Sequence, residues 1–220
     1  IAAFFFVSYA SMARVYYVSS SYTGGTTNGN VSTPWKSLSA VQSNMSLINP
    51  GDTISFKCGD EFSGTLTLSR SGTSTAPIVF NSYGTGNKPT FTGTGSTINY
   101  LIYLYNRNYI VFDGWNITDP GLSPTDRWQL SRIQRAFGFD GTSTGNVIKN
   151  CKIELVGIGT YWVGPGNTMD HCDIGNLRMV VNNSGGNNDY GANPVVISSG
   201  GNTITSNNFH DCWANSYDYT

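Results

Sequence analysis

Basic residues concentrate in one short stretch of this 220-residue chain, together with a tryptophan, Trp128. Five of the twelve lysines and arginines fall within 26 positions: Arg127, Arg132, Arg135, Lys149 and Lys152. A guanidinium binds a carboxylate through two parallel hydrogen bonds, and an indole offers a flat apolar face to a sugar ring. The stretch therefore predicts a site for an acidic sugar such as a uronate. A surface loop whose tryptophan fills a gap in the core is the alternative.

Polar residues also recur at two fixed phases of a repeating pattern. The first set is Asp113, Lys149, Asp170 and Thr205, and the second is Asn116, Lys152, Asp173 and Asn208. If the segments stack in register, Lys149 neighbours Asp170 and Lys152 neighbours Asp173. Two exposed ion pairs of this kind contribute about 0–1 kcal/mol each. The alternative is a polar patch in which Asp170 and Asp173 meet sugar rings or a cation.

Paired carboxylates would indicate glycoside hydrolysis, which uses two of them about 5–9.5 Å apart. Asp170 and Asp173 are near enough in sequence to reach that separation. No dense cluster of aspartates with a histidine accompanies them. His171 is interpreted as a turn residue, and His210 and Asp211 are predicted to point to opposite sides of a strand. The acidic residues are too dispersed to assign calcium ligands, so no metal site is predicted.

The four cysteines, Cys58, Cys151, Cys172 and Cys212, lack the paired spacing of a zinc site. Cys151 and Cys172 share one phase of consecutive segments, which would place them within disulfide distance. A disulfide and a reduced, buried cysteine stack both fit this spacing.

The elements that position these residues are short strands that repeat. The segments 110–117, 146–153, 167–174 and 202–209 align without gaps. Three aligned columns are mainly apolar: Ile117, Ile153, Ile174 and Phe209; Phe112, Ile148, Met169 and Ile204; Trp115, Cys151, Cys172 and Asn207. A fourth column predicts a turn, because glycine and asparagine best tolerate left-handed backbone angles: Gly114, Asn150, His171 and Ser206.

A repeat of this length made of strand and turn alone predicts an all-β solenoid, because each coil buries its apolar side only against its neighbours. A β-sandwich would also alternate apolar and polar residues. It would not place the same residue types at the same phase four times, so we favour the solenoid.

The N-terminal region has a different character. Residues 1–10 form an apolar run too short to span a bilayer, and small residues follow it as at a signal-peptidase site. We expect a signal-peptide remnant over residues 1–13 and therefore export, with a buried first strand as the alternative.

The remaining chain divides into a cap and coils. Residues 14–52 are expected to form a strand at 15–18, a loop and a capping helix over 34–48 that Pro34 opens. Residues 53–220 are expected to form about six or seven coils that continue beyond residue 220. A second short helix is predicted around 126–135.

Composition narrows the function classes. The net charge is −1, so the chain lacks the positive field of nucleic-acid binders. Hydrophobic residues make up 39% and aromatic residues 13%, too much for a disordered chain. Charged residues make up only 11%, and Gly, Ser, Thr and Asn, which are poor helix formers, take their place.

Residues 50–86, PGDTISFKCGDEFSGTLTLSRSGTSTAPIVFNSYGTG, resemble the opening coils of secreted right-handed parallel β-helix proteins of the pectate-lyase-like superfamily. The segments YYVS at 16–19 and PWKSL at 34–38 are similar as well. The resemblance covers roughly residues 15–220 and implies a right-handed parallel β-helix. It does not select an activity, because the superfamily includes lyases, hydrolases, epimerases, tailspikes and adhesins.

The resemblance implies an extracellular polysaccharide as the partner, and the basic stretch favours an acidic one and a lyase. β-Elimination of a uronate requires neutralisation of the carboxylate, a base for the proton at carbon 5 and an acid for the leaving oxygen. Related lyases use calcium or arginine for the first and often arginine or lysine for the second, so calcium is an implied cofactor. The expected catalytic residues are Lys152, Arg135 and Lys149. The expected substrate-binding residues are Arg127, Trp128, Arg132, Asp170 and Asp173.

Two competing functions remain at this stage. Glycoside hydrolysis ranks below lyase chemistry. A non-catalytic glycan-binding or tailspike-like solenoid is the alternative class, and it could oligomerise through an open C-terminal edge.

Overall fold

The computed structural model of the chain describes residues 12–217. Over these residues the chain forms a right-handed parallel β-helix, so the predicted fold class is confirmed. Most of the expected signal-peptide remnant, residues 1–11, lies outside the described part. No helix within residues 12–217 is long and apolar enough to cross a membrane.

A short cap precedes the coils. It consists of strand β1 (Val15–Val18), helix α1 (Leu38–Ser43) and a 3₁₀ turn (Met45–Leu47). The Oγ of Ser37 accepts a hydrogen bond from the Ala40 amide at 3.1 Å and so caps α1.

The predicted helix start at Pro34 is wrong. The amide of the next residue, Trp35, donates to the carbonyl of Tyr17 at 2.9 Å, so the chain here still pairs with β1.

Five complete coils follow within the described part, with two strands of a sixth. The first three are β2 (Thr53–Lys57), β3 (Glu61–Ser63) and β4 (Leu66–Leu68); β5 (Ile78–Tyr83), β6 (Thr90–Thr92) and β7 (Ile102–Tyr105); and β8 (Ile110–Asp113), β9 (Asn116–Ile117) and β10 (Arg135–Asp140). The fourth is β11 (Val147–Lys149), β12 (Lys152–Glu154) and β13 (Ile158–Trp162). The fifth is β14 (Thr168–Asp170), β15 (Asp173–Gly175), the hairpin strands β16 (Met179–Val181) and β17 (Tyr190–Gly191), and β18 (Asn193–Ile197). The sixth begins with β19 (Thr203–Thr205) and β20 (Asn208–Phe209).

Corresponding strands of successive coils pair in parallel and build three sheets. Sheet 1 has the order β1-β2-β5-β8-β11-β14-β19, sheet 2 the order β20-β15-β12-β9-β6-β3 and sheet 3 the order β18-β13-β10-β7-β4. β16 and β17 form a separate antiparallel pair.

The predicted register is confirmed. Ile153 pairs with Ile117 and Ile174 in sheet 2, and Ile148 pairs with Phe112 and Met169 in sheet 1. The predicted turn column is also confirmed, since its four residues have φ of 77°, 53°, 50° and 56°: Gly114, Asn150, His171 and Ser206.

Aromatic rings fill the core between the sheets. Trp115 is fully buried and stacks on Phe91 with ring centroids 4.0 Å apart. Phe56 and Phe112 contact the same indole at 5.2 and 5.3 Å. Because these rings come from three coils and the turn between sheets 1 and 2, the core ties the coils together.

Cys151 and Cys172 lie next to each other in this interior with free thiols, so the reduced stack describes the structure. Burial raises the pKa of the Cys151 thiol, which keeps it protonated and unreactive.

The second predicted helix, around 126–135, is wrong. This segment is an irregular loop until β10 begins at Arg135. The carbonyl of Asp126 accepts a hydrogen bond from the buried Arg178 side chain instead of from a helical amide. A tertiary contact thus satisfies the backbone of the loop.

Candidate functional site

The outer surface of sheet 3 carries an aromatic and charged cluster that we call the tyrosine face. It consists of Tyr100, Tyr103, Tyr105, Arg135, Asp140 and Tyr161. Sequence alternation builds it, because Ile102 and Leu104 point into the core and send the intervening tyrosines of β7 outward. The exposed fraction of Tyr105 is 56%.

The centre of the tyrosine face depends on Gly138. This residue of β10 pairs with Tyr103 on one side and Tyr161 on the other. The ring of Tyr100 lies over it, since a Cβ at this position would clash with Tyr100 Cδ1. Tyr100 also stacks on Tyr103 with centroids 4.5 Å apart and an interplanar angle of 27°.

Arg135 places a positive charge among these rings. Its Cζ lies 5.1 Å from the Tyr100 ring centroid and 5.0 Å from that of Tyr161, which is cation–π distance. Nη1 donates to Asn99 Oδ1 at 2.6 Å. None of the ion pairs within residues 12–217 includes Arg135, so its charge has no carboxylate partner there.

Burial and the Asp140 carboxylate both act on the two stacked phenols. The Tyr100 hydroxyl donates to Asp140 Oδ2 at 3.1 Å, while Asp140 Oδ1 has no hydrogen-bond partner in the described part of the chain. Burial and then the Asp140 charge raise the pKa of Tyr100 to about 12 and raise that of Tyr103. Both phenols therefore stay protonated at neutral pH and act as donors.

The three expected catalytic residues lie on three different sheets. Arg135 is on the tyrosine face of sheet 3, Lys149 is on sheet 1 and Lys152 is on sheet 2. A sugar bound on one face cannot contact all three at once.

Both lysines also have carboxylate partners, although not the expected ones. Lys149 Nζ is 3.3 Å from Asp113 Oδ2, and Lys152 Nζ is 2.9 Å from Glu154 Oε2. The register places Asp170 and Asp173 beside these lysines, as predicted. The ion pairs that were expected with these aspartates do not form.

The aspartates pair with histidines instead. Asp170 Oδ1 is 2.8 Å from His171 Nδ1, and Asp173 Oδ1 is 3.2 Å from His210 Nε2. Asp211 Oδ2 lies 2.9 Å from His210 Nδ1, so the prediction that His210 and Asp211 point apart is wrong. The reason is the backbone of Asp211, whose φ of 48° breaks the alternation of a strand.

The remaining expected substrate-binding residues lie in the loop before β10. Arg132 Nε is bound to the buried Asp119 at 2.9 Å and serves that loop's structure. The Arg127 guanidinium lies over the ring of Trp213, with Cζ 3.4 Å from the centroid. Trp128 is 62% exposed, so it does not fill a gap in the core.

The residues do not fit the implied calcium ion. Within residues 12–217 no group of three or more His, Cys, Asp or Glu side chains is arranged to hold a metal.

The tyrosines of the site were missed in the sequence. A usable signal exists in the segment NYLIYLYNRNYI at 99–110, where tyrosine and aliphatic residues alternate over β7. Only strands of sheets 1 and 2 align without gaps, so the sequence repeat did not predict the strands of sheet 3.

Comparisons with known proteins agree on the fold. No family model matches the chain, and no curated protein gives a significant match. GH136 lacto-N-biosidase from Eubacterium ramulus superposes with a TM-score of 0.58 at 20% identity, over 73% of this chain and 34% of that one. A rhamnogalacturonan lyase gives 0.59 at 15% identity, over 90% and 50%. A pectate lyase gives 0.50 at 17% identity, over 87% and 55%.

The chain thus spans about a third of the length of the first structure and about half of the other two. Identities this low show the fold alone. They bear out the parallel β-helix part of the expected resemblance.

Proposed function

We propose that this protein acts on an acidic, extracellular polysaccharide that binds along the tyrosine face. One observation carries the proposal: the guanidinium of Arg135 lies between the rings of Tyr100 and Tyr161 and has no carboxylate partner among the described residues. Aromatic rings provide apolar surface for sugar rings, and the guanidinium provides a bidentate partner for a uronate carboxylate. The three solved structures above are named for enzymes that act on glycans, which supports this substrate class.

The reaction we propose is β-elimination. Arg135 neutralises the uronate carboxylate and so acidifies the proton at carbon 5. Asp140 is the proposed base for this proton, because it is the carboxylate of the tyrosine face. The C–O bond at carbon 4 breaks, its electron pair leaves with the oxygen, and a carbon 4–carbon 5 double bond forms.

Tyr103 is the proposed acid for the leaving oxygen, because its raised pKa keeps the phenol protonated at neutral pH. Lys149 and Lys152 face the other two sheets and take no part in this arrangement.

The test compares Arg135→Ala with the wild-type protein on uronate polymers. We expect polymer binding to weaken and the ultraviolet absorbance of the unsaturated product to stop rising, because the carboxylate loses its partner. Lys36→Ala is the matched control, since Lys36 also lies over a tyrosine ring, that of Tyr22 at 5.5 Å, but in the cap region.

Three outcomes are informative. Product formation that is unchanged in Arg135→Ala would contradict the site. Activity that is lost in Lys152→Ala but kept in Asp140→Asn would show that Asp140 is not the base and that a residue of sheet 2 is needed. Binding that needs Arg135 but yields no product would establish a non-catalytic glycan-binding solenoid.

A further inference from the structure

A second exposed aromatic surface lies on the loop that precedes β10. We call it the loop platform and define it by Arg127, Trp128, Trp213 and Tyr217. Trp128 is 62% exposed and Tyr217 is 57% exposed, with ring centroids 6.1 Å apart at an angle of 37°. The two rings present adjacent apolar faces to solvent, on a scale that suits a sugar ring.

The loop platform also carries a charge. The guanidinium of Arg127 stacks on Trp213 at 3.4 Å, and no ion pair within residues 12–217 includes Arg127. Its carbonyl accepts a hydrogen bond from Asn215 Nδ2 at 3.2 Å, which fixes the backbone on the last described coil. A ligand would therefore find an aromatic surface and a cation that forms no ion pair there, close to two carboxylates that accept from platform amides: Asp126 Oδ1 from Trp128 at 3.1 Å and Asp189 Oδ2 from Tyr217 at 3.0 Å.

Arg178 holds the loop in place from below. The side chain is fully buried, and all five of its N–H groups donate to main-chain carbonyls. Three acceptors belong to the loop: Asp126 at 3.2 Å, Ser123 at 3.1 Å and Pro124 at 3.0 Å. The others are Asn176 at 2.7 Å and Leu177 at 3.3 Å.

Burying a guanidinium that has no carboxylate partner costs desolvation free energy. Burial lowers the pKa of Arg178 for the same reason. Neutral side chains could donate hydrogen bonds to the loop carbonyls at a smaller desolvation cost. Three of the five bonds instead fix the loop as far as Asp126, one residue before Arg127 and two before Trp128. This fixed conformation reduces the entropy that ordering the platform on binding would cost.

The loop platform is continuous in sequence with the tyrosine face. Residues 129–134 connect it to Arg135, and five main-chain bonds tie this connection to neighbouring segments, among them Ser131 to Met179, Gln134 to Ile98 and Gly157 to Ile133. The loop platform and the tyrosine face are therefore joined by a segment whose main chain is fixed.

We propose that the loop platform is a second carbohydrate-binding surface that takes an additional unit of the same acidic glycan, and that Arg178 is its positioning residue. The proposal rests on the function proposed above. It goes further in dividing recognition between a site on sheet 3 and a platform on the loop.

The experiment compares a long uronate polymer with a short uronate oligosaccharide on Trp128→Ala. Polymer affinity should fall about tenfold, as for a central aromatic anchor, while affinity for the oligosaccharide stays unchanged. Leu47→Ala is the control, because Leu47 is 50% exposed on the cap and lies in neither surface. Arg135→Ala should instead weaken both ligands.

Tryptophan fluorescence provides an independent readout. Trp35, Trp115 and Trp162 are at most 1% exposed, so a change on polymer binding reports on Trp128 and Trp213. Arg178→Lys keeps the charge but loses the fork that reaches three loop carbonyls. We expect it to weaken polymer binding and to reduce this fluorescence change, while oligosaccharide binding persists as evidence of folding.

The outcomes separate the two proposals. Polymer affinity that is unchanged in Trp128→Ala while Arg135→Ala loses binding would overturn the loop platform alone. If the wild-type protein binds neither ligand, both proposals fail. If Arg178→Lys weakens both ligands equally, Arg178 is a general stability residue and its positioning role is wrong.

Discussion

At the scale of single residues, the tyrosine face depends on Gly138, which has no Cβ. Tyr100 occupies the space that a Cβ at Gly138 would need, and from there it contacts Tyr103 and Asp140. A glycine in a strand costs conformational entropy, and here it marks a close approach of another group. Burial of this ring raises the pKa of Tyr100, and the charge of Asp140 adds to the rise.

We therefore predict that Gly138→Ala displaces the Tyr100 ring. The free energy of unfolding should fall by about 1–3 kcal/mol, as for an overpacked site. The pKa of Tyr100 should move down from about 12 towards its ordinary value of 10.0, because the ring becomes more solvated. Denaturant unfolding and a tyrosine titration measure the two effects. Gly185→Ala is the control, since a Cβ there meets nothing within 4 Å, and an equal loss in that variant would contradict the argument.

At the scale of elements, the stacked strands are joined by side-chain contacts as well as by the main-chain ladder. His210 follows β20 in the sixth coil, and its ring lies over Gly175 of the fifth. It bridges Asp173 of the fifth coil and Asp211 of its own. The hydrogen bond with Asp211 is the main cause that raises the pKa of His210, and the charge of Asp173 adds to it.

This bridge predicts a pH dependence of the last described coil. A raised pKa in the folded state means that the stabilisation is fully present below the ordinary pKa of 6.5 and is lost as the pH rises through the raised value. His210→Gln should therefore lower the melting temperature at about pH 5.5 and leave it nearly unchanged at about pH 8.5. His171→Gln is the comparison, because His171 pairs with Asp170 of its own coil. A His210→Gln effect of the same size at both pH values would show that the bridge is not ionic.

The elements also explain which strands could be found in the sequence. In the third to sixth coils, sheets 1 and 2 are joined by a two-residue turn with one left-handed residue, so these strands keep one spacing and align directly. The connections from sheet 2 to sheet 3 vary from two residues, 64–65, to seventeen, 118–134. Because these connections differ in length, the strands of sheet 3 do not recur at a fixed spacing in the sequence. The tyrosine face was missed for that reason.

At the scale of the whole molecule, stability comes from a continuous aromatic interior. Trp115 touches rings of the first, second and third coils, so its removal affects several coils at once. Coils of a solenoid stabilise one another mainly through such neighbour contacts. The same dependence makes the outer face rigid enough to present preformed sites.

We predict that Trp115→Ala lowers the free energy of unfolding by about 3–5 kcal/mol, the range for truncating a buried aromatic residue. Trp128→Ala should change it by less than about 0.5 kcal/mol, because that indole is mostly exposed. Denaturant unfolding of both variants, followed by circular dichroism, makes the comparison. Similar losses in the two variants would mean that the loop contributes to the core after all.

The sequence alone determined the β-helix, its register and its left-handed turn column. These features depend on contacts between equivalent positions of neighbouring coils, and equivalent positions carry similar residue types. From residue type it also predicted Arg135 as a catalytic candidate and Arg127 and Trp128 as substrate-binding candidates. Which of the basic residues have carboxylate partners was decided by tertiary structure: Lys149, Lys152 and Arg132 are paired, whereas Arg135 and Arg127 stack on aromatic rings. Pairing depends on distances across coils and loops of unequal length, and residue spacing along the chain does not encode those distances.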